Sequence, residues 1–384
     1  MDTGGLKVLM ISSDRNILAP ESAVQTRMKE YGALVAELHI VLLSDLSHNL
    51  KETQIAKNVW VYPTGALIKF LRPRAASVLA KKIIFEKNFV RGQSVVTTQD
   101  PFECGMVGAE VKERWRIPLE VQLHTDPFGP HFAGPLNKIR LGIAKDVLPK
   151  ADGVRVVTES LKQKLVAEYK LNPDIVTVLP IYIDTERIEH STSTFDLHDR
   201  FGWRFIFLMT ARLTEEKNVG LALEALAQVR TEYPDTGIVI VGSGVEESRL
   251  KSLAAKLGVD KNVAFAGWVE DLGSYYRGAN AFLQTSKFEG YGLSLVEAAL
   301  SKLPIVTTKV GIAEELRDGE EAYVCEPRAE AFAFAMSELI EHNEKRSRVG
   351  EAGRDAIQRK LISKDEYLRR LLEAWQRTAL KIPE

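Results

Sequence analysis

The sequence predicts an α/β protein built from two doubly wound domains, each with a parallel sheet that is covered by helices on both faces. Short runs rich in Val and Ile alternate with helical patterns along the whole chain. Such near-continuous apolar strands are typical of parallel sheets. The chain has 384 residues, 45% of them hydrophobic, and a chain of this length generally divides into two cores.

Six strands are predicted in each half of the chain. Those of the first half are LKVLMISS, ELHIVLL, SVVTTQ, LEVQLH, VRVVT and IVTVLP. Those of the second half are RFIFLMT, TGIVIVG, VAFAG, ANAFLQT, PIVTT and AYVCEP. Parallel strands need long crossover connections, and the helical segments between these runs supply them.

A polar segment separates the two halves. The stretch IDTERIEHSTSTFDLHDRFGW contains four consecutive Ser and Thr residues and has no periodicity, which is typical of a linker. We therefore predict an N-terminal domain over residues 1–183 and a C-terminal domain over residues 184–362. Residues 363–384 contain apolar side chains at helical spacing, which predicts an amphipathic helix that packs back on the N-terminal domain. These side chains are Leu368, Leu371, Leu372 and Trp375.

The composition excludes several classes of protein. The formal net charge is −1, so the chain lacks the basic excess of a nucleic-acid-binding protein and no nucleic-acid partner is expected. The charge is uneven, because residues 1–183 hold 24 Lys and Arg against 19 Asp and Glu, and the remainder holds 27 against 33. Cys104 and Cys325 are far apart, so neither a disulfide framework nor a zinc site is predicted.

The expected location is the cytoplasm, either in solution or peripheral on the inner face of the membrane. The segment LKVLMISSD near the start is predicted to be a strand, not the apolar region of a signal peptide. No run approaches the roughly eighteen apolar residues of a membrane span. The absence of a disulfide pattern also favours a reducing compartment.

Two motifs predict a phosphate site, and both follow strands. Ligands of open parallel sheets bind outside the carboxyl ends of the strands, and two facing sheets would place the site in a cleft between domains. After RFIFLMT come Arg212, in a turn, and Lys217, at a helix entry. A cation there faces the positive end of the helix dipole, which is unfavourable unless both share a bound anion such as phosphate. The structural alternative is that Glu215 and Glu216 pair with both cations in a solvated loop.

The second motif is FEGYGLSLVEAALS. Gly290 and Gly292 permit a tight turn with free backbone N–H groups, and a helix that is apolar on nearly every side follows. The N-terminus of such a buried helix binds anions through its unpaired N–H groups and its dipole. A second phosphate contact is therefore predicted at this turn.

Two carboxylates flank this turn. Glu297 lies inside the apolar helix, where an unpaired charge is costly, so it must reach a partner or a polar ligand. Glu289 is eight residues earlier, roughly 12 Å along a helix axis, which is too far for one acid/base pair. The two could instead hold opposite ends of a nucleotide-sugar. A buried ion pair for Glu297, and a cap or solvated turn for Glu289, are the alternatives.

At these residues the sequence resembles the large family 4 of retaining glycosyltransferases, which have the GT-B fold of two facing Rossmann-like domains. The resemblance covers nearly the whole C-terminal half, in order. Its segments are ARLTEEKN, IVIVGSGVEESRLKSLA, VAFAGWVEDLGSYYRGANAFLQTS and FEGYGLSLVEAALSKLPIVTTKVGIAEELRDGEEAYVCEP.

The resemblance implies roles for individual residues. Glu289 would lie near the donor sugar and Glu297 on the ribose hydroxyls, while Arg212 and Lys217 would hold the diphosphate. Further donor-binding positions implied by the family are Gly242, Gly244, Trp268, Val269, Gly290, Tyr291, Gly292 and Leu293. Of these, Trp268 and Val269 would lie by the nucleobase, with the Gly242 to Gly244 turn nearby.

The N-terminal half contributes fewer candidates. In VQLHTDPF, His124 matches an active-site histidine that the family often carries, with a predicted hydrogen bond to a donor-sugar hydroxyl. Asp100 and Asp126 are candidates for the acceptor side. Two departures from the family pattern are evident. The Gly-Gly loop after the first strand is replaced by SSDRNILAPESAVQTR, and the usual PNGVD before the second domain is PIYID.

The implied activity is metal-independent transfer of a sugar from a nucleoside-diphosphate sugar to an acceptor hydroxyl, with retention and without a further cofactor. Front-face attack is favoured, because no nucleophile pair is evident. The process implied is cell-envelope or polysaccharide synthesis. A nucleotide-sugar epimerase or hydrolase on the same fold, and a non-catalytic nucleotide-sugar-binding partner subunit, are the alternatives.

The acceptor is predicted to be a saccharide or a lipid-linked molecule. Residues 66–93 are predicted to form a basic helix pair studded with apolar residues, which suits an anionic lipid surface. Its cations are Lys69, Arg72, Arg74, Lys81, Lys82, Lys87 and Arg91. The alternative is a solvated face over an ordinary core helix, which would permit a soluble acceptor.

Overall fold

The computed structural model describes residues 5–124, 126–129, 132, 134–185 and 194–381. The described chain forms two compact units. The first lies within Met1–Pro127, Phe132–Pro180 and Ile362–Glu384, and the second within Phe128–His131 and Ile181–Leu361. The first unit therefore gives way to the second at Pro180, three residues before the predicted boundary. Residues 186–193 of the predicted linker lie outside the described residues, and its last part contains a short helix.

The first unit contains an eight-stranded sheet in the order β3-β4-β2-β1-β5-β6-β7-β8. Every neighbouring pair is parallel except β3 and β4. The strands are β1 (Lys7–Ser12), β2 (Glu37–Leu42), β3 (Thr53–Ala56), β4 (Val59–Pro63), β5 (Ser94–Thr98), β6 (Leu119–Leu123), β7 (Gly153–Val156) and β8 (Val176–Val178).

The second unit contains a six-stranded parallel sheet in the order β11-β10-β9-β12-β13-β14. Its strands are β9 (Phe205–Thr210), β10 (Thr236–Val241), β11 (Val263–Gly267), β12 (Ala281–Gln284), β13 (Ile305–Thr308) and β14 (Tyr323–Cys325). β9 and β12 are neighbours although about seventy residues separate them in the chain. This crossover brings the turns that follow these two strands to the same edge of the sheet.

Helices connect the strands. In the first unit they are α1 (Ala23–Ala33), α2 (Arg72–Glu86), α3 (Glu103–Trp115), α4 (Pro135–Val147) and α5 (Glu159–Tyr169). In the second unit they are α6 (Leu197–Phe201), α7 (Val219–Val229), α8 (Glu247–Lys256), α9 (Leu272–Gly278), α10 (Leu293–Leu300), α11 (Ala329–Glu341) and α12 (Asn343–Gln358). The last helix, α13 (Lys364–Ala379), packs on β5, β6 and β7 of the first unit.

The two Rossmann-like units confirm the predicted fold class, and all twelve predicted strands are present. Two strands, β3 and β4, were missed. β3 is a short edge strand whose Thr53 and Gln54 are exposed, so it has no apolar run. β4 is five residues long, has a short apolar run and ends at Pro63, so its length does not distinguish it from the strands that were predicted.

The prediction of a helix pair over residues 66–93 was wrong, because this segment contains one α-helix, α2. A short 3-10 turn at Lys69–Leu71 precedes it. Pro73 sits in the first turn of α2, where proline's missing N–H is tolerated. Among the described residues, no helix is long and apolar enough to cross a membrane.

Candidate functional site

The candidate site lies at the carboxyl edge of the six-stranded sheet, where its predicted residues follow successive strands. Arg212 and Lys217 follow β9, while the turn containing Glu289 follows β12. Since β9 and β12 are adjacent, the side chains after them can meet. The sheet order thus explains how residues far apart in sequence converge.

Lys217 and Glu289 form an ion pair at this edge. Lys217 Nζ lies 2.7 Å from Glu289 Oε1, and the two side chains keep only 16% and 11% of their exposure. The hydroxyl of Ser286 donates to the same carboxylate oxygen at 2.7 Å, and Thr285 Oγ1 donates to the Lys217 carbonyl at 3.0 Å. These contacts hold a largely desolvated ammonium and carboxylate in fixed positions.

Arg212 is placed differently. Its side chain is 76% exposed and its Nη2 lies 3.4 Å from Glu216 Oε1. The alternative in which acidic neighbours pair with both cations therefore holds for Arg212 but not for Lys217. Glu215 pairs instead with Lys287, at 3.0 Å. An exposed pair such as Arg212–Glu216 contributes little to stability, so the guanidinium can rearrange at small cost.

The glycines after β10 are explained by close backbone approach. A Cβ on Gly242 would lie 2.0 Å from the Ala211 carbonyl oxygen, and one on Gly244 would lie 2.2 Å from that of Leu213. Leu213 N also donates to the Ser243 carbonyl at 3.0 Å. The turn after β10 therefore packs directly on the segment that carries Arg212.

The helix after Glu289 begins with an open N-terminus. Gly292 is its N-cap, with φ of +99°, and has no side chain with which to cap α10; the first turn contains no acidic residue. The preceding Tyr291 is buried, and its carbonyl accepts a hydrogen bond from Ile312 N at 2.8 Å. The turn of Gly290, Tyr291, Gly292 and Leu293 thus ends at a helix terminus suited to an anion.

Glu297 contacts a tyrosine that the sequence analysis missed. The phenol of Tyr276, on α9, donates to Glu297 Oε2 at 2.9 Å and lies 2.9 Å from Thr210 Oγ1. Burial, and then the charge of Glu297, raise the pKa of Tyr276 well above its usual value, so the phenol stays protonated. Glu297 is therefore hydrogen-bonded to a phenol, and it is half-buried.

Trp268 and Val269 follow β11. Trp268 is 74% exposed, which is a large apolar surface left open to a ligand or solvent. The carbonyl of the preceding Gly267 accepts a hydrogen bond from Gly242 N at 2.7 Å. The Trp268 segment and the Gly242 turn are therefore neighbours.

The remaining candidates lie in the first unit. His124 follows β6, is exposed, and its Nε2 lies 3.1 Å from Gln122 Oε1. Desolvation by the surrounding protein, and then the charges of Arg155 and Arg27, lower the pKa of His124 to about 3. This lowered pKa favours a neutral ring at neutral pH.

The two acidic candidates of the first unit have structural partners. Asp100 Oδ1 accepts hydrogen bonds from Phe102 N at 2.7 Å and Cys104 N at 3.2 Å, so it caps the start of α3. Burial raises the pKa of the Asp100 carboxyl. Asp126 pairs with Lys164 at 2.8 Å. Across the described ranges, no group of three or more His, Cys, Asp and Glu residues could hold a metal ion.

Comparison with known proteins identifies the class. The family described as Glycosyl transferases group 1 matches residues 196–356, and the one described as Glycosyltransferase Family 4 matches residues 24–187. The fold is similar to that of Anabaena HepE, with a TM-score of 0.75, 19% identity, and coverage of 96% of this chain and 99% of that one. It is also similar to sucrose-phosphate synthase from Thermosynechococcus elongatus, with a TM-score of 0.77, 17% identity, and coverage of 95% and 97%. The protein is a glycosyltransferase with the GT-B fold.

Relatives in sequence agree with this class. Alpha-monoglucosyldiacylglycerol synthase of Acholeplasma laidlawii is 25% identical over 308 residues, which cover 74% of this chain and 72% of that protein. The lipopolysaccharide core biosynthesis glycosyltransferase LpsE of Rhizobium meliloti is 30% identical over 154 residues, 40% of this chain and 44% of that protein. Both halves of the chain are thus similar to glycosyltransferases of the family 4 type.

Proposed function

We propose that this glycosyltransferase transfers a sugar from a nucleoside-diphosphate sugar to an acceptor hydroxyl, and that the second unit binds the donor. The Lys217–Glu289 pair carries the proposal. An ammonium has three N–H donors. Glu289 uses one of them, which leaves two for phosphate oxygens. Glu289 also stands three residues before Gly292, the open N-cap of α10. Anabaena HepE has a crystal structure in complex with UDP, so uridine nucleotides are the first donors to test.

The proposed chemistry places these groups where charge develops. As the bond between the anomeric carbon and the β-phosphate oxygen breaks, negative charge grows on that oxygen. Lys217, Arg212 and the N–H groups at the start of α10 stabilise the charge, which is the main catalytic effect of preorganised donors. Because two cations and a helix terminus supply this stabilisation, we propose that no metal ion is needed.

Retention is proposed from the family resemblance. The acceptor hydroxyl attacks the face that the leaving group vacates, and the departing phosphate oxygen takes the hydroxyl proton. One carbon–oxygen bond forms as the other breaks, which gives a glycoside and a nucleoside diphosphate. His124 is proposed to contribute a hydrogen bond to a hydroxyl of the donor sugar, as the family resemblance implies.

A lipid surface is proposed as the place of reaction, on the evidence of the outward face of α2. This face alternates cations and apolar side chains at helical spacing: Arg74, Val78, Lys81 and Phe85 are all exposed. The opposite face is buried through Ala76, Ala80, Ile83 and Ile84. Just before the helix, Leu67, Ile68 and Phe70 are 77%, 58% and 87% exposed. Basic and apolar side chains together favour an anionic bilayer surface.

A lipid-linked acceptor follows from this proposal. The sequence relatives include a protein named as a diacylglycerol glucosylating enzyme and one named for lipopolysaccharide core synthesis. A peripheral enzyme on the inner membrane face would meet such acceptors by diffusion in two dimensions. The proposal is therefore of peripheral attachment through residues 66–93, with glycan synthesis of the cell envelope as the process.

The donor proposal is tested with purified protein and UDP-, GDP- and ADP-sugars. A bound donor is expected to raise the melting temperature, because ligand binding to the folded state stabilises it. Turnover is expected only when an acceptor-containing lipid extract is added, with an unchanged rate in EDTA and a retained anomeric configuration by proton NMR. If no sugar nucleotide binds, the proposal is wrong. If the donor is consumed equally fast without acceptor, the protein is a hydrolase.

The membrane proposal is tested by cosedimentation with vesicles of phosphatidylcholine, with and without phosphatidylglycerol. The double variant Lys81→Glu/Lys82→Glu should lose anionic-vesicle binding by more than tenfold, because each basic residue near such a surface contributes about 1 kcal/mol. Lys51→Glu/Lys57→Glu, which reverses two exposed lysines elsewhere in the first unit, is the control. Phe85→Ser should also weaken binding, and Phe334→Ser, at a 66% exposed position of the second unit, should not. Equal effects in test and control variants would contradict the proposal.

A further inference from the structure

A polar stripe in the first unit begins with buried residues of β6 and ends at the exposed His124 that follows the strand. Glu120, Gln122 and His124 occupy alternate positions, and side chains two residues apart point to the same face of a strand. Glu120 and Gln122 are only 1% and 3% exposed. Buried polar groups of this kind are costly unless they are hydrogen-bonded, so their partners determine what the stripe does.

Glu120 is the acceptor at one end of a hydrogen-bond chain. Its Oε2 accepts from Trp375 Nε1 at 3.1 Å and from Thr97 Oγ1 at 2.5 Å. An indole N–H can only donate, which establishes that oxygen as an acceptor. Arg155 Nε lies 3.6 Å from the other carboxylate oxygen, with both side chains buried. The carboxylate is therefore held between the terminal helix, β5 and β7.

The direction of this hydrogen-bond chain fixes the orientation of the Gln122 side-chain amide. A threonine hydroxyl has a single proton, and that of Thr97 is donated to Glu120. The Thr97 oxygen can then only accept from Gln122, whose Nε2 lies 2.7 Å away. The amide oxygen of Gln122 must consequently point in the other direction, and it is this oxygen that lies 3.1 Å from His124 Nε2.

The orientation of the amide decides which ring nitrogen of His124 carries the proton. An amide oxygen accepts and never donates, so the Nε2 of His124 must be the protonated nitrogen. In a neutral imidazole the other nitrogen, Nδ1, then carries a lone pair. The lowered pKa of His124 favours this neutral ring.

We propose that Glu120, Thr97 and Gln122 hold His124 in the Nε2–H tautomer, so that Nδ1 accepts a hydrogen bond from a hydroxyl of the sugar substrate. Gln122 and Thr97 are positioning residues, because they act only through His124. The tautomer follows from the hydrogen-bond chain by itself, whereas the sugar ligand rests on the proposed function.

The tautomer is measured directly by long-range proton–nitrogen NMR of protein labelled with ¹⁵N-histidine. His124→Asn identifies the His124 signals among those of the seven histidines. In the wild type, Nε2 should have the shift of a protonated nitrogen and Nδ1 that of an unprotonated one. Gln122→Met, of similar length but without an acceptor, should populate the Nδ1–H tautomer. A wild-type ring protonated at Nδ1, or a Gln122→Met spectrum identical to wild type, would overturn the proposal.

Activity separates positioning from simple destabilisation. Thr97→Val breaks the chain without touching His124, and it should lower kcat/KM at least tenfold, whereas Thr97→Ser keeps the hydroxyl and should restore most of the activity. Asn58→Ala, just before β4, is the matched control. It also removes hydrogen bonds of the first unit, here to the carbonyls of Gly32, Val35 and Ala36, but it lies outside the hydrogen-bond chain to His124. It should lower the melting temperature and leave the tautomer and kcat/KM unchanged.

The NMR and activity measurements test the tautomer and the proposed function separately. If the wild type turns over no sugar nucleotide, the proposed function fails while the NMR spectrum still decides the tautomer. If the tautomer changes in Gln122→Met and kcat/KM does not, the hydrogen bond from Nδ1 to the sugar is wrong. Loss of activity in Asn58→Ala equal to that in Thr97→Val would also overturn the positioning role.

Discussion

Lys217 and Glu289 form a 2.7 Å ion pair although 72 residues separate them in sequence. Each follows a strand of the six-stranded sheet, and those strands are neighbours in the sheet. Because both side chains are mostly buried, neither can leave the pair without a substitute partner. An arriving phosphate need not displace Glu289, since its oxygens can accept the two N–H groups of Lys217 that the carboxylate leaves unused.

Removal of the Lys217 ammonium is expected to impair turnover. Lys217→Ala should lower kcat by about 10²–10³-fold, the usual effect of removing one preorganised donor from a developing oxyanion. Lys287→Ala removes an ammonium that is 41% exposed and paired with Glu215, so its kcat should stay near wild type. Steady-state kinetics with the identified donor make the comparison. Similar kcat values for Lys217→Ala and wild type would exclude this lysine from the chemistry.

The Tyr276–Glu297 hydrogen bond is expected to control donor affinity. Tyr276→Phe removes the phenol that donates to Glu297, which leaves a half-buried carboxylate short of a donor, at a cost of about 1–3 kcal/mol. The variant should unfold at a lower urea concentration and raise the KM for donor more than it lowers kcat. Tyr275→Phe, at the adjacent buried tyrosine of the same helix, is the control. If both variants change KM equally, Glu297 does not depend on Tyr276.

The strands and the positions of the candidate residues could be predicted from sequence, but their partners could not. The runs of Val and Ile located β9 and β12, and the turns after them located Lys217 and Glu289. That these two side chains pair depends on the order of strands in the sheet, which local periodicity does not contain. The polar stripe of β6 was missed for another reason. LEVQLH was interpreted as an apolar strand, although its alternate residues Glu120, Gln122 and His124 are a period-two pattern.

The turn after β10 is expected to tolerate no side chain at Gly244. A Cβ there would lie 2.2 Å from the Leu213 carbonyl oxygen, so Gly244→Ala must displace backbone and should destabilise the protein by about 1–3 kcal/mol. Gly142 lies in α4 with nothing within 4 Å of its Cβ position. Gly142→Ala should therefore be stabilising by roughly 0.5–1 kcal/mol. Urea unfolding measures both changes, and a stable Gly244→Ala would contradict the close packing of this turn.

Stability is expected to fall as the pH is lowered from about 6.5 to 5, and His39 contributes to this fall. The His39 ring is fully buried, stacks on Trp60 with centroids 4.7 Å apart, and hydrogen-bonds Tyr62 and Glu37. Burial lowers the pKa of His39 below its ordinary value of 6.5, and the partner Glu37 only partly opposes this.

The sign of this pH dependence of stability follows from proton binding. Between the folded pKa and 6.5 the unfolded state binds more protons than the folded state, so acid favours unfolding. The slope approaches about 1.4 kcal/mol per pH unit for one such histidine. Glu37 also has a lowered pKa, but its ordinary value of 4.5 places its effect below this window. His124 has a lowered pKa as well and adds a slope of the same sign.

His39→Phe keeps an aromatic ring in the stack and removes the titrating group. Urea unfolding at several pH values between 5 and 7 should give a shallower dependence of the unfolding free energy on pH than in the wild type, although the variant loses two hydrogen bonds and is less stable at pH 7. His342→Asn, at an exposed position of the second unit, should keep the wild-type slope. If His39→Phe keeps the wild-type dependence of the unfolding free energy on pH, His39 must already be protonated in the folded protein. In that case Glu37 balances the effect of its burial.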